Sequence, residues 1–298
     1  MSATDSAIVG EIALEAGDFL GETPVWSVAE QALYWVNCEE PPLLRRWHPE
    51  TGAMKSWPMP ERIGGFVLRA KGGPVVTLAS GVYDLDLDTG ALAPRAPSPF
   101  GHDVQLHESG CDHAGRLWVG GYDSRLSDEN PFPKGAGLCR LDGDRLTVVV
   151  PDITISNALG FSPDGKLIYF TDSLIRSILV ADLDETTGNL SEIRDFIKLG
   201  DGEFVDGATV DAEGYYWGAM VTKGELRRYA PDGSLEHIVP LPFSNPTKPV
   251  FGGPDLKTLY VTSTRLPIPW HTPVGPNGVI YAIRPGVAGV AETMFVDR

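Results

Sequence analysis

The sequence predicts an all-β protein, a six-bladed β-propeller. A strand-and-turn phrase recurs about six times along the chain, clearest in HAGRLWVGG (113–121), SPDGKLIYFTDS (162–173), DAEGYYWGAM (211–220) and GPDLKTLYVTS (253–263). The turns ahead of these strands lie near Ala29-Glu30, Gly72-Gly73, Ala114-Gly115, Asp164-Gly165, Glu213-Gly214 and Asp255-Leu256. Their spacing, about 43, 42, 50, 49 and 42 residues, is close to the length of one four-stranded blade. Helical signals are weak: no long stretch carries apolar residues at i, i+3, i+4 and i+7, and 34 Gly and 25 Pro are spread throughout.

The first predicted strand, residues 7–14, precedes the first turn. Its expected partner is the end of the chain, around residues 279–296, so that the ring closes and residues 1–298 form one domain. The repeat strands ALYWVN, GRLWVGG, KLIYFTD, GYYWGAM and KTLYVTS place β-branched and aromatic residues at period two, as half-buried strands do. Between them runs a second series of turns: HPETGAM, DLDTGAL, LDGDRL, DETTGNL, APDGSL and IRPGVAG. Their Thr-Gly and Asp-Gly pairs suit hairpins because glycine tolerates positive φ. The segment Asp84 to Gly90 imitates the start of an EF-hand. Its glycine comes one position late and Arg95 stands where that loop needs Glu, so it reads as a strand entering a turn. A two-sheet sandwich would require no such regular spacing.

Composition excludes several classes. The formal charge of −16, from 40 acidic and 24 basic side chains, disfavours phosphate backbones and is compatible with a cation site. Cys38, Cys111 and Cys139 are scattered and odd in number, which suggests neither a disulfide framework nor a structural zinc site. The N-terminal residues lack the pattern of a signal peptide, and no apolar run approaches membrane-spanning length. The expectation is a cytoplasmic protein, monomer or small homo-oligomer, with neither nucleic acid nor membrane as partner. There is no Gly-x-Ser-x-Gly elbow, dinucleotide fingerprint or Walker loop.

Four segments carry polar residues that the turns do not explain. Glu22 lies in GETPVW, Asn157 in ISNALG, Asp206 in FVDGA, and His107 in QLHESGCD. Taken singly, Glu22 also reads as a solvated loop acid, Asn157 as a turn cap and Asp206 as part of a hairpin turn. Each, however, precedes a repeat strand by a similar short interval, and equivalent positions of a propeller project to one face near the axis. One Glu, one Asn and one Asp there supply only oxygen donors, which suits Ca²⁺, Mg²⁺ or Mn²⁺. His107 is open to three roles: substrate donor, proton carrier or fourth ligand. As a ligand it would shift the balance towards a transition metal such as Zn²⁺ or Fe²⁺.

At these residues the chain resembles the regucalcin/gluconolactonase family, also called the senescence-marker-protein family. The matching stretches are GETPVW, ISNALGFSPDGKLIYFTDS, VDGATVDAEGYYWGAM and NPTKPVFGGPDLKTLYVTS, in the family's order over most of the chain. The resemblance implies a six-bladed propeller with one divalent metal in its channel, held by Glu22, Asn157 and Asp206, and hydrolysis of sugar-acid lactones. Where many members have Arg-x-Asn-Asp-Gly, this chain has Gln105-Leu106-His107-Glu108-Ser109. An acidic contact that some members place after the next strand falls near Ser124-Arg125, where no acid remains. The expected substrate contacts are Gln105, His107, Tyr122 and Arg125. Asp206 is the first candidate for orienting or deprotonating water, and His107, with an ordinary pKa near neutrality, is the second. The alternatives are a phosphotriesterase-like hydrolase and a cation- or ligand-binding propeller without catalysis.

Overall fold

A computed structural model describes residues 10–267 and 271–297. Residues 7–9 of the first expected strand lie outside the described residues. The chain is a six-bladed β-propeller of six four-stranded antiparallel sheets. The strand β1 (Gly10–Leu14) belongs to the last blade. The first blade is β2 (Gly21–Ser27), β3 (Ala32–Asn37), β4 (Leu43–Trp47) and β5 (Met54–Pro58). The second is β6 (Ile63–Val67), β7 (Val75–Leu78), β8 (Gly81–Leu85) and β9 (Leu92–Pro97). The third is β10 (Val104–Cys111), β11 (Leu117–Asp123), β12 (Ala136–Asp142) and β13 (Arg145–Ile153). The fourth is β14 (Ser156–Phe161), β15 (Leu167–Asp172), β16 (Ser177–Leu183) and β17 (Leu190–Lys198). The fifth is β18 (Phe204–Val210), β19 (Tyr216–Val221), β20 (Glu225–Tyr229) and β21 (Leu235–Pro240). The sixth is β22 (Pro246–Gly252), β23 (Thr258–Ser263) and β24 (Ile280–Ile283), completed by β1, which pairs Gly10 with Ile283. Among the described residues no helix is long and apolar enough to cross a membrane.

The core is divided among the blades. Tyr34, Leu44 and Trp57 of the first blade pack against Phe66, Val76 and Leu85 of the second. Corresponding clusters fill each successive blade interface, and Trp26, Trp35, Tyr260 and Ile280 join the sixth blade to the first. Burying these apolar faces removes them from water, at about 25 cal/mol per Å², and so holds each blade against its neighbours.

The recurring phrase supplies the second strand of its blade, and in two blades an aspartate at its start is a structural device. Asp211 Oδ1 accepts from the amides of Glu213 and Tyr215 in the turn, and its Oδ2 accepts from Trp217 Nε1 at 2.9 Å. Asp112 does the same for Ala114, Arg116 and Trp118. A buried carboxylate thus ties the turn to the indole of the following strand, and Arg228 or Arg116 neutralises it.

The chain end departs from expectation. Only Ile280–Ile283 of the last stretch is strand. Beyond it the backbone crosses the ring: Gly289 bonds to Leu256, Phe295 to Leu68, and Val296 to Gly115. Residues 290–294 thereby cover the end of the channel formed by the C-terminal halves of the inner strands, over a cavity of about 140 Å³.

Candidate active site

Each innermost strand breaks its register with the next strand, and the breaks recur at one level of the ring. They fall between Glu22 and Val25, Ile63 and Gly65, Leu106 and Ser109, Asn157 and Gly160, Val205 and Ala208, and Pro246 and Pro249. A bulge re-aims the side chains of its strand. Here the bulges carry Glu22, His107, Glu108, Asn157, Asp206 and Lys248, one strand earlier than the repeat phrase. Thr23 and Ala158, which follow Glu22 and Asn157, hold positive φ values of 44° and 63°, an unusual conformation for residues with a Cβ.

Glu22 is 3% exposed and its Oε2 accepts from the amide of Thr23 at 2.8 Å. Asn157 donates Nδ2–H to Ser173 Oγ at 2.9 Å. Asp206 is partly buried. Burial, then the charge of Glu108, raises Glu22 to about 7. Burial, then the charges of Glu22 and Glu108, holds Asp206 well above the usual carboxylate range. The carboxylates therefore crowd one another, and a bound cation would relieve that repulsion. Among the described residues no group of three His, Cys, Asp or Glu side chains is arranged to hold a metal ion. The oxygen set is two carboxylates and an amide, which suits a hard cation with further positions left for water or substrate.

His107 is buried, and its Nδ1 accepts from Arg62 Nη2–H at 3.2 Å. Burial, then the Arg62 charge, drives its pKa down to about 3, while a hydrogen bond with Asn157 opposes that shift. Burial and the Arg62 charge act against the near-neutral titration expected of this histidine. The His107 nitrogen facing Arg62 is engaged. Its ring lies 6.3 Å from that of Tyr122, which is registered across from Gln105. Gln105, His107 and Tyr122 are thus brought together. Arg125 is not brought into this set as a free cation. It closes on Asp123 through Nε at 2.9 Å and Nη2 at 2.6 Å. Asp123 is fully buried.

Sequence reasoning missed three charged residues. Lys248, on β22, pairs its Nζ with Glu108 Oε1, while Glu108 Oε2 accepts from the Leu159 amide at 2.9 Å. Gly207 makes this possible: a Cβ there would lie 2.5 Å from Lys248 Cβ. Arg62 stands immediately before β6. A lysine inside the apolar run NPTKPVFGG and an acid beside His107 were the available signals; neither names its partner.

Residues 20–265 match the SMP-30/Gluconolactonase/LRE-like region. The chain is 38% identical over 287 residues to a 6-deoxy-6-sulfogluconolactonase from Pseudomonas putida, covering 93% of this chain and 94% of the relative. It is 34% identical to an L-arabinolactonase from Azospirillum brasilense, covering 83% and 81%. The crystal structure of a calcium-binding regucalcin from Agrobacterium tumefaciens superposes with a TM-score of 0.87 at 25% identity, over 97% of this chain and 98% of that one. With the propeller, the bulged inner strands and these matches, the chain belongs to the SMP-30/gluconolactonase/LRE-like family.

Proposed function

We propose that this protein is a lactonase that hydrolyses a sugar-acid lactone, with one divalent cation held by Glu22, Asn157 and Asp206. The observation that supports the reading is that bulges on the inner strands carry Glu22, Asn157 and Asp206 at one level of the ring, with Glu22 and Asp206 within reach of each other's charge and Asn157 bonded to His107. Relatives named as lactonases of a sulfogluconic and of an arabinonic lactone support the substrate class. The calcium-binding neighbour supports Ca²⁺ as the first cation to test, before Zn²⁺, Mn²⁺, Mg²⁺ and Fe²⁺.

When bound, the cation supplies Lewis-acid polarisation of the lactone carbonyl and stabilises the oxyanion. Asp206, which keeps some solvent access, orients the attacking water and accepts its proton. Glu22, enclosed and bonded to the Thr23 amide, is a fixed ligand. His107 fixes Asn157 and, with Gln105 and Tyr122, lines the substrate side. Substrate enters from the N-terminal ends of the inner strands, because residues 290–294 cover the other end. The buried free thiols of Cys38, Cys111 and Cys139 support a reducing cytoplasm as the compartment.

The test is a pH-indicator assay of ring opening across pentono- and hexonolactones, on chelated protein reloaded with each cation. Acceleration that is lost on chelation and in Asp206→Asn supports the proposal. Cation binding without acceleration of any lactone refutes it and leaves a binding protein.

A further inference from the structure

Arg62 is placed and paired unlike the other arginines. Every other arginine in an ion pair among the described residues has a carboxylate oxygen at 3.2 Å or closer. Arg62 reaches only Glu39, at 4.0 Å, yet its side chain is 11% exposed while that of Glu39 is 39% exposed. Its hydrogen-bond partners are uncharged, although Glu22 lies within reach of its charge. Nη1–H donates to the Leu106 carbonyl at 3.2 Å, Nη2–H donates to His107 Nδ1 at 3.2 Å, and the guanidinium lies 5.9 Å from the Tyr122 ring centroid. This setting is imposed by the fold. A Cβ at Gly64 would lie 2.3 Å from the Leu106 oxygen and 2.7 Å from His107 Cα, so β6 lies hard against β10 and carries Arg62 onto His107. A guanidinium enclosed without a close counter-charge is costly, and its planar fork matches a carboxylate, phosphate or sulfonate.

We infer that Arg62 is the specificity-determining cation of the site and that the substrate is a lactone bearing an anionic group at the end remote from its carbonyl. The inference rests on the lactonase reading above and extends it. Arg62 touches His107, which bonds to Asn157, so the anion would be held one side chain away from the cation ligands. It would complete the charge that Glu39 leaves unmet. In a chain of net charge −16, this enclosed cation also gives an anionic substrate a local attraction.

The experiment compares kcat/KM for glucono-1,5-lactone with values for hexonolactones ending in a carboxylate, a phosphate or a sulfonate. Wild type should favour at least one anionic lactone over the neutral one, and the favoured arm identifies the anion. In Arg62→Gln that ratio should fall by about 10- to 100-fold, mainly through KM, the worth of one charge-assisted pair. Arg62→Lys, which keeps the charge without the fork, should lie between. No anionic preference in wild type, or an equal loss for neutral and anionic lactones in Arg62→Gln, overturns the inference and leaves Arg62 as a support for His107. Calorimetric binding of glucarate against gluconate needs no turnover. If no lactone is opened, the lactonase reading fails, while a glucarate advantage that Arg62→Gln abolishes still upholds the anion site. Equal binding of the two acids by wild type rejects it.

Discussion

Replacing Lys248 by Met tests the charge arrangement of the channel. Lys248 is 8% exposed and Glu108 is 3% exposed, and they pair with each other. Removing the ammonium strands Glu108 in the interior beside Glu22 and Asp206. Breaking a buried pair from one side costs about 3–5 kcal/mol, a large part of the ~5–15 kcal/mol that stabilises a typical protein. The loss has a pH signature. Glu22 already sits near 7, raised by burial and by Glu108, and the Lys248 charge opposes that rise. A carboxyl whose folded pKa is raised binds its proton better folded than unfolded. Its destabilising effect is therefore absent below the unfolded value and grows as pH rises through the folded one. Without Lys248 the folded value of Glu22 moves higher still, and the penalty of the substitution is larger at pH about 8 than at about 5. The assay is urea unfolding of cation-free protein at both pH values. The double variant Lys248→Met, Glu108→Gln should recover most of the loss, because no stranded charge remains. Equal destabilisation at both pH values, or a double variant no better than the single, would refute the reasoning.

Other outcomes follow from the same geometry. Asp211→Ala removes a fully buried acceptor shared by two turn amides, Trp217 and Arg228, and should cost about 3–5 kcal/mol in denaturant unfolding with no change in m. Gly207→Ala drives a Cβ into Lys248 and should cost about 1–3 kcal/mol while lowering lactone turnover through displacement of its neighbour Asp206, both read on purified protein. Cation binding should strengthen as pH rises through about 7, because protons on Glu22 and Asp206 compete with the cation. The rise in melting temperature on adding Ca²⁺ should accordingly be greater at pH about 8 than at about 5.

The architecture was legible because its signals are local. Asp-Gly and Thr-Gly turns and period-two strands are written within a few residues, and their spacing reports the blades. Glu22, Asn157 and Asp206 were legible as polar interruptions ahead of those strands, although their setting on bulged inner strands was not. The Glu108–Lys248 pair was hidden because its members lie 140 residues apart and meet only when the third and sixth blades face each other across the channel. The settings of Arg125 and Arg62 were hidden to different degrees. Asp123 pairs with Arg125 only two residues away, whereas the placing of Arg62 on His107 depends on how β6 packs against β10. The crossing of the chain end beneath the channel left no periodic signal at all.

The most direct measurement joins cation stoichiometry to turnover. Chelated protein is titrated with Ca²⁺ in a calorimeter, and each point is assayed for lactone opening. One cation per chain, with turnover rising in step with occupancy and both lost in Glu22→Gln and Asp206→Asn, is the expected result. Full turnover by the chelated protein, or a bound cation with no lactone opened by any of the candidate metals, would contradict the account.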